Sequence, residues 1–344
     1  MKIKDLLIKI PVFQGGMGVG VSLSKLAGAV AKAGGLGVIS TAQIGFRKPE
    51  FLTNPIETNL IALKEEIKKA RDIAEGGVLG VNIMVATRRY EDYVKASVEA
   101  GIDVIISGAG MPMDLPQLVE GSDVKIIPIV SSKKALDILV RYWQKKYQRY
   151  PDAVIIEGPM AGGHLGFSKE EIGTLTKEKY DEEIVSIIDY VKSLENVMSK
   201  IPVIVAGGIF EREDMEHYKA LGADGVQLAT RFVTTEECDA DERFKQAYID
   251  ATKEDIVIIK SPVGLPGRAI HNAFIDRVRS GERFMRGCRQ CVKTCNVANA
   301  PFCITEALIN AVKGKIEEGL IFCGSNAYRC KKIETVREIM EEFA

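Results

Sequence analysis

The chain has 344 residues, the length of one large α/β domain with additions or of two average domains. Its 46 Lys and Arg residues balance 47 Asp and Glu residues, so the sequence offers no basic field for nucleic acid. It contains no apolar run of about 18 residues, and we therefore expect no membrane-spanning helix. Charges at Lys2, Lys4 and Asp5 stand where a signal peptide would have its apolar stretch, so we expect a cytoplasmic protein.

Short apolar segments recur along the chain, and a stretch that can form a helix separates each from the next. Most are apolar almost throughout, as expected for strands buried on both faces of a parallel sheet. Eight repeats of strand and helix predict an α/β fold of the (β/α)8 TIM barrel type. The alternative, a doubly wound sheet, usually has five or six strands. The predicted strands are Pro11–Gln14, Leu36–Thr41, Leu79–Met84, Val104–Ser107, Lys125–Val130, Ala153–Glu157, Pro202–Ala206 and Gly225–Leu228.

The helices between these strands carry recognisable start and stop signals. Ser22 is a candidate N-cap for the first helix, and Gly34 and Gly35 are a candidate stop. After the eighth strand the alternation ends. We therefore divide the chain into a barrel over residues 1–235 and a Cys-rich C-terminal lid or subdomain, packed on the barrel, over residues 236–344.

Two glycine turns follow the predicted seventh and eighth strands. Gly207 and Gly208 come directly after Ala206, and Gln227 to Arg231 repeat the arrangement one strand later. In TIM barrels the active site lies at the C-terminal ends of the strands, and the loops after strands seven and eight often bind phosphate. The pattern predicts a phosphate site, although tight turns demanded by barrel geometry alone would look the same.

Six ordered segments, within roughly residues 8–235, resemble the nitronate monooxygenase family, formerly called 2-nitropropane dioxygenase. That family is related to the FMN-dependent enoyl-acyl-carrier-protein reductase II. The resemblance implies a TIM barrel that binds FMN and carries a smaller second domain. The segments are Gln14-Gly15-Gly16-Met17, Ala33-Gly34-Gly35-Leu36-Gly37, Gly80-Val81-Asn82-Ile83-Met84, Ala161-Gly162-Gly163-His164, Ala206-Gly207-Gly208-Ile209 and Gln227-Leu228-Ala229-Thr230-Arg231.

Site residues follow from the same resemblance. His164 would lie over the flavin as a catalytic acid/base or substrate-orienting group, a role that suits an imidazole, although a structural histidine is the alternative. His217 is expected at the surface, and His271 is a weaker candidate for the barrel mouth. The implied FMN contacts are Gly16, Met17, Asn82, Glu157, Gly162, Gly207, Gly208, Gln227, Leu228, Ala229 and Thr230.

The motifs do not separate the two subfamilies. Glu157 and Leu165 are closer to the reductase, whereas Met160 departs from both, since each normally has Glu there. We expect a nitronate monooxygenase-like enzyme that oxidises alkyl nitronates with molecular oxygen. The alternatives are an NADH-dependent enoyl reductase acting on an enoyl thioester, other FMN redox chemistry, and a flavin-binding sensor or storage protein. The substrate is a small molecule, NAD(P)H is a candidate electron donor, and a homodimer is one open option.

The C-terminal segment holds a compact cysteine array. Cys288, Cys291 and Cys295 have iron–sulfur or zinc spacing. Cys303 follows as a fourth candidate ligand, and Cys323 or Cys330 could equally supply it. Arg286 lies within two residues of the first cysteine and would offset thiolate charge. The sequence leaves three options open for this array: an iron–sulfur cluster, zinc, or reduced thiols without metal.

Overall fold

The computed structural model describes residues 1–194, 200–285 and 287–344. Within them, eight parallel strands form one sheet in the order β1-β8-β7-β6-β5-β4-β3-β2. A parallel bridge between Phe13 and Leu36 joins β1 to the start of β2 and closes the barrel. The (β/α)8 prediction is confirmed. The strands are β1 Val12–Gln14, β2 Gly37–Ser40, β3 Leu79–Met84, β4 Val104–Gly108, β5 Lys125–Val130, β6 Val154–Glu157, β7 Val203–Ala206 and β8 Gly225–Leu228.

All eight predicted strands exist, with bounds that differ by at most one residue at either end. Inside the barrel, apolar side chains such as Phe13, Ile106 and Ile204 pack with no exposed surface. Helices surround the barrel. Those that follow successive strands are α1 Ser24–Lys32, α2 Pro55–Ala74, α3 Tyr90–Glu99, α4 Leu115–Leu118, α5 Lys133–Tyr147, α6 Lys177–Leu194 and α7 Arg212–Ala220.

The first helix begins later than the sequence suggested. Ser22 was predicted as its N-cap, but α1 begins at Ser24, and the Ser22 hydroxyl instead accepts a hydrogen bond from the Met17 N–H at 2.8 Å. The Asp239 carboxylate, from the C-terminal segment, accepts from Leu23 N at 2.8 Å and satisfies the start of the helix. The stop was predicted correctly, because Gly34 takes a left-handed φ of 95° just after the helix.

Residues 236–344 both cover the barrel mouth and complete its wall. An antiparallel hairpin of β9 (Ile256–Lys260) and β10 (Pro266–Ile270) extends through β10 onto a two-residue strand, Gly163–His164, that follows β6. The last helix returns to pack against α1. The division at residues 235 and 236 stays a prediction. The helices of this part are α8 Glu242–Asp250, α9 Ala273–Arg279, α10 Ile304–Val312 and α11 Val336–Phe343.

No helix in the described part of the chain is long and apolar enough to cross a membrane.

Candidate active site

A cavity of roughly 710 Å³ opens at the C-terminal ends of the barrel strands and is covered by the C-terminal segment. Leu228 is the one predicted site residue of the barrel that does not line it. Its side chain is buried, and its carbonyl accepts from Gly15 N at 2.7 Å. The predicted residues that the structure brings together on the cavity wall are Gly16, Met17, Asn82, Glu157, Gly162, His164, Gly207, Gly208, Gln227, Ala229 and Thr230.

Close backbone approach explains the glycine after β1. A Cβ on Gly16 would lie 2.4 Å from the Asn82 Cβ on β3, a contact that side chains do not make. Gly16 therefore lets the first loop pack against the third strand, so that Met17 and Asn82 share one part of the wall.

Three loops meet beyond β7 and β8 and form what we call the glycine cradle: Gly207–Gly208, Ala229–Thr230 and Gly324–Asn326. Gly207 and Gly208 have left-handed φ angles of 98° and 81°. Gly324 N donates to the Thr230 hydroxyl at 3.1 Å, and the Asn326 side-chain amide donates to the Gly208 carbonyl at 2.7 Å. These bonds fix the three loops relative to one another.

The cradle contains a polar atom without a partner. The Ser325 hydroxyl oxygen is buried and makes no hydrogen bond in the structure. Burying an unpaired hydroxyl costs about 1–3 kcal/mol, so such groups normally have a partner or serve a ligand. A hydroxyl and glycine N–H groups around one space suit an anion that accepts several hydrogen bonds.

His164 is held by the C-terminal segment. Its Nε2 lies 2.7 Å from the Ser261 hydroxyl, and its ring packs edge-on against Phe322 with centroids 4.9 Å apart. Burial lowers the pKa of His164 to about 4, so the imidazole is neutral near pH 7. A neutral imidazole that lines the cavity can exchange a hydrogen bond or a proton with a bound molecule.

Glu157, at the end of β6, lines the same cavity, but burial shifts its pKa in the opposite direction from that of His164. Burial raises the pKa of its carboxyl to about 7. The group therefore changes between a hydrogen-bond donor and an acceptor within the neutral pH range.

The other two histidines lie outside the cavity wall. His217 on α7 pairs with Asp181 at 2.8 Å and is partly exposed, as expected. His271 pairs with Asp276 at 2.7 Å and does not line the cavity, so the suggestion that it reaches the mouth has no support.

The structure supports neither of the two metal options for the cysteine array. Among the described residues, no three His, Cys, Asp or Glu side chains are grouped so as to hold a metal ion. Cys288 is exposed, Cys291 lines the cavity, Cys295 is half-buried, and Cys303 is buried at the start of α10. Besides burial, Cys291 raises the pKa of both Cys295 and Cys303, so these thiols are near one another, but they form no three-ligand group in the part of the chain that the structure describes. Arg286 lies outside the described residues.

Two groups of functional candidates were missed in the sequence. Ser261 lies in the predicted C-terminal lid or subdomain and was not singled out there, although its hydroxyl lies 2.7 Å from His164 Nε2. The sequence does contain a turn-like signal, Gly324-Ser325-Asn326, after the apolar residues 320–323. It was overlooked because it lies within the Cys-rich region. Nothing in their spacing ties them to the barrel strands, because the contact with Thr230 spans 94 residues.

Comparisons with known proteins agree with this geometry. The family model described as nitronate monooxygenase matches residues 1–344. A probable nitronate monooxygenase of Staphylococcus aureus (strain Newman) is 26% identical over 297 residues, covering 80% of this chain and 79% of that protein. One from Staphylococcus saprophyticus is 25% identical over 297 residues, with 79% of each chain covered.

Solved structures show the same fold. FabK from Thermotoga maritima superposes with a TM-score of 0.74 at 27% identity and covers 98% of this chain and 92% of its own. A nitroalkane oxidase from Streptomyces ansochromogenes superposes with a TM-score of 0.72 at 20% identity, covering 98% and 95%. Taken with the whole-length match of the family model, the chain belongs to the nitronate monooxygenase family and is an oxidoreductase.

Proposed function

We propose that the protein is an FMN-dependent, nitronate monooxygenase-like oxidoreductase that oxidises alkyl nitronates with molecular oxygen. The observation that carries this proposal is the unpaired Ser325 hydroxyl in a glycine cradle, on the same cavity as a neutral, buried His164. The cradle suits a phosphate and the histidine suits substrate chemistry. FMN would meet both needs, since it has one phosphate for the cradle and supplies reversible two-electron chemistry when bound.

The residues of the cradle fit a phosphate group. Gly208 presents its backbone without a side chain, and the short helix Thr230–Val233 begins at the same place. Because Thr230 accepts its hydrogen bond from Gly324 N, its own hydroxyl proton stays free to donate. Ser325 adds a second hydroxyl donor. Asn82 and Glu157 line the wall farther along and would contact the flavin ring.

His164 would orient the substrate rather than carry charge. The Ser261 oxygen accepts from Val263 N at 3.4 Å, which favours donation of the serine proton to His164 Nε2. The imidazole proton is then on Nδ1, where it would donate to an oxygen of the anionic nitronate. A neutral ring donates this bond without a buried positive charge of its own.

A second candidate function rests on the apolar part of the cavity. Side chains of the barrel loops and the C-terminal segment form a wall that would accept an acyl chain, which favours reduction of an enoyl thioester with NADH. The apolar side chains concerned are Met84, Met111, Ile129, Val263, Leu265, Leu308 and Phe322.

Anaerobic reduction of the bound flavin separates the two functions. If the protein oxidises nitronates, propyl-2-nitronate alone should bleach the flavin absorbance, and oxygen should restore it with turnover. Rapid bleaching by NADH or NADPH, followed by reoxidation with crotonyl thioester, would instead establish the reductase. A flavin that none of these compounds reduces would contradict both.

Ser325 gives a direct test of the phosphate position. We expect Ser325→Ala to weaken FMN binding by about tenfold or more, since it removes one hydrogen bond to a charged group. Because this hydroxyl has no partner in the protein, the FMN-free chain should unfold at the same temperature or slightly higher. Fluorescence titration with FMN and thermal unfolding measure the two effects. Ser97→Ala, at a buried serine outside the cavity, is the matched control and should leave FMN affinity unchanged.

A further inference from the structure

Arg268 differs from the other buried cations of the protein. Among the described residues four Lys or Arg residues are less than about a tenth exposed. Three of them have carboxylates close by: Lys125 with Asp5 at 2.6 Å, Arg231 with Glu342 at 2.6 Å, and Lys245 with Glu242 at 2.9 Å. Arg268 has no carboxylate within salt-bridge distance in the described part of the chain and is only 6% exposed.

Backbone carbonyls partly satisfy this guanidinium. Arg268 Nη1 donates to the Pro159 carbonyl at 2.9 Å and also to the Ala161 carbonyl. Burial lowers the pKa of Arg268, so these dipoles do not replace the water that the cation has lost. Buried charges are normally paired, and an unpaired one points to a missing anion.

Arg268 is connected to two loops of the glycine cradle through Met160. The residue between its two carbonyl acceptors is Met160, whose own carbonyl accepts from Ser325 N at 3.2 Å. The Met160 side chain also lies against Gly208, since a Cβ added to Gly208 would lie 2.9 Å from the Met160 Cβ. The Arg268 carbonyl also accepts from Cys323 N at 3.1 Å and so holds the segment that leads into Gly324.

The geometry points to Arg268 as a positioning residue that acts through the 159–161 loop and whose buried positive charge is matched by the phosphate of the bound cofactor. This inference rests on the proposed function, because it takes FMN as the occupant of the cradle. Arg268 does not line the cavity, so its effect reaches the phosphate through one peptide segment and through the electrostatic field.

Comparing FMN with riboflavin isolates the phosphate. In the full chain freed of flavin, Arg268→Gln should raise the dissociation constant of FMN about tenfold or more. That of riboflavin, which lacks the phosphate, should change less than about threefold. Arg268→Lys keeps the charge and should keep most of the preference for FMN. Lys245→Met removes a buried cation that already has its carboxylate, and it should leave the FMN-to-riboflavin ratio as in the wild type.

Each outcome decides a separate question. Equal weakening of FMN and riboflavin in Arg268→Gln, or no weakening of either, would overturn the electrostatic role. Wild-type protein that binds neither flavin would refute the proposed function itself. If Arg268→Gln does not fold, phosphorus NMR of wild-type protein with bound FMN gives the answer. The phosphate should stay a dianion well below its ordinary second pKa of about 6, and protonation at that ordinary value would overturn the inference.

Discussion

Replacing His164 with alanine is expected to lower turnover at saturating substrate about 100-fold or more, while FMN remains bound. Removing one fixed hydrogen-bond donor to a reacting anion commonly lowers turnover about 100- to 1,000-fold, and His164 is held for such a role by Ser261 at 2.7 Å. The contacts of its ring with Ser261 and Phe322 lie outside the glycine cradle, so flavin retention should not change. Steady-state turnover and the flavin-to-protein ratio measure the two effects. His217→Ala, at the histidine paired with Asp181, is the control and should turn over normally.

The pH profile distinguishes a reacting histidine from a structural one. The pKa of His164 is about 4, so its imidazole is neutral from about pH 6 to 8 and becomes charged only as the pH falls toward 4. Protonation puts a second proton on Nε2 and reverses the hydrogen bond with Ser261 that positions the ring, so wild-type turnover should decline in that acidic range. Glu157, with a pKa of about 7, titrates separately, and any change near pH 7 should survive in His164→Ala. Unchanged turnover in the variant would leave His164 with a structural role only.

Barrel architecture was predictable because burial on both faces leaves a strong signal in each strand. Segments such as Ile126–Val130 can be apolar throughout only where no face meets water. Once eight such strands are recognised, barrel closure places every strand end on one rim. The wall formed by Gly16, Asn82, Glu157 and Gly208 follows from that geometry, without knowledge of any single contact.

Contacts made by the C-terminal segment were not predictable in the same way. Ser261 reaches His164 across 97 residues, and Asn326 reaches Gly208 across 118. The periodicity of a strand or a helix relates residues only within that element. It therefore could not predict contacts between residues so far apart in the sequence. The same limit applies to Asp239, whose carboxylate takes the place at α1 that Ser22 was expected to fill.

The cysteines show how local spacing can mislead. Short intervals between Cys288, Cys291 and Cys295 permit metal binding, but they do not orient the side chains. The chain here is instead bound to the barrel loop after β3, where Arg88 N donates to the Cys291 carbonyl at 3.1 Å and Thr87 bridges Val292. The thiols of this array differ in exposure, and among the described residues they form no three-ligand group.

Substituting aspartate for Gly208 is expected to abolish flavin retention through purification. Gly208 has a left-handed φ of 81°, and any side chain there meets the Met160 Cβ at 2.9 Å, so substitution strains the cradle. A carboxylate would also place a negative charge where the phosphate is proposed to bind, and at this range like charges repel by several kcal/mol. The absorbance of purified protein near 450 nm gives the bound fraction.

Two further variants separate strain from charge. Gly208→Ala adds the Cβ alone and should weaken FMN binding while retaining part of it. Gly76→Asp places the same aspartate on a glycine of similar φ, 87°, with no atom near its Cβ, and should purify with its full flavin content. Stoichiometric FMN in Gly208→Asp would show that the phosphate lies elsewhere in the cavity. Loss of flavin from the Gly76 variant would instead mean that backbone strain at any left-handed glycine is enough to release it.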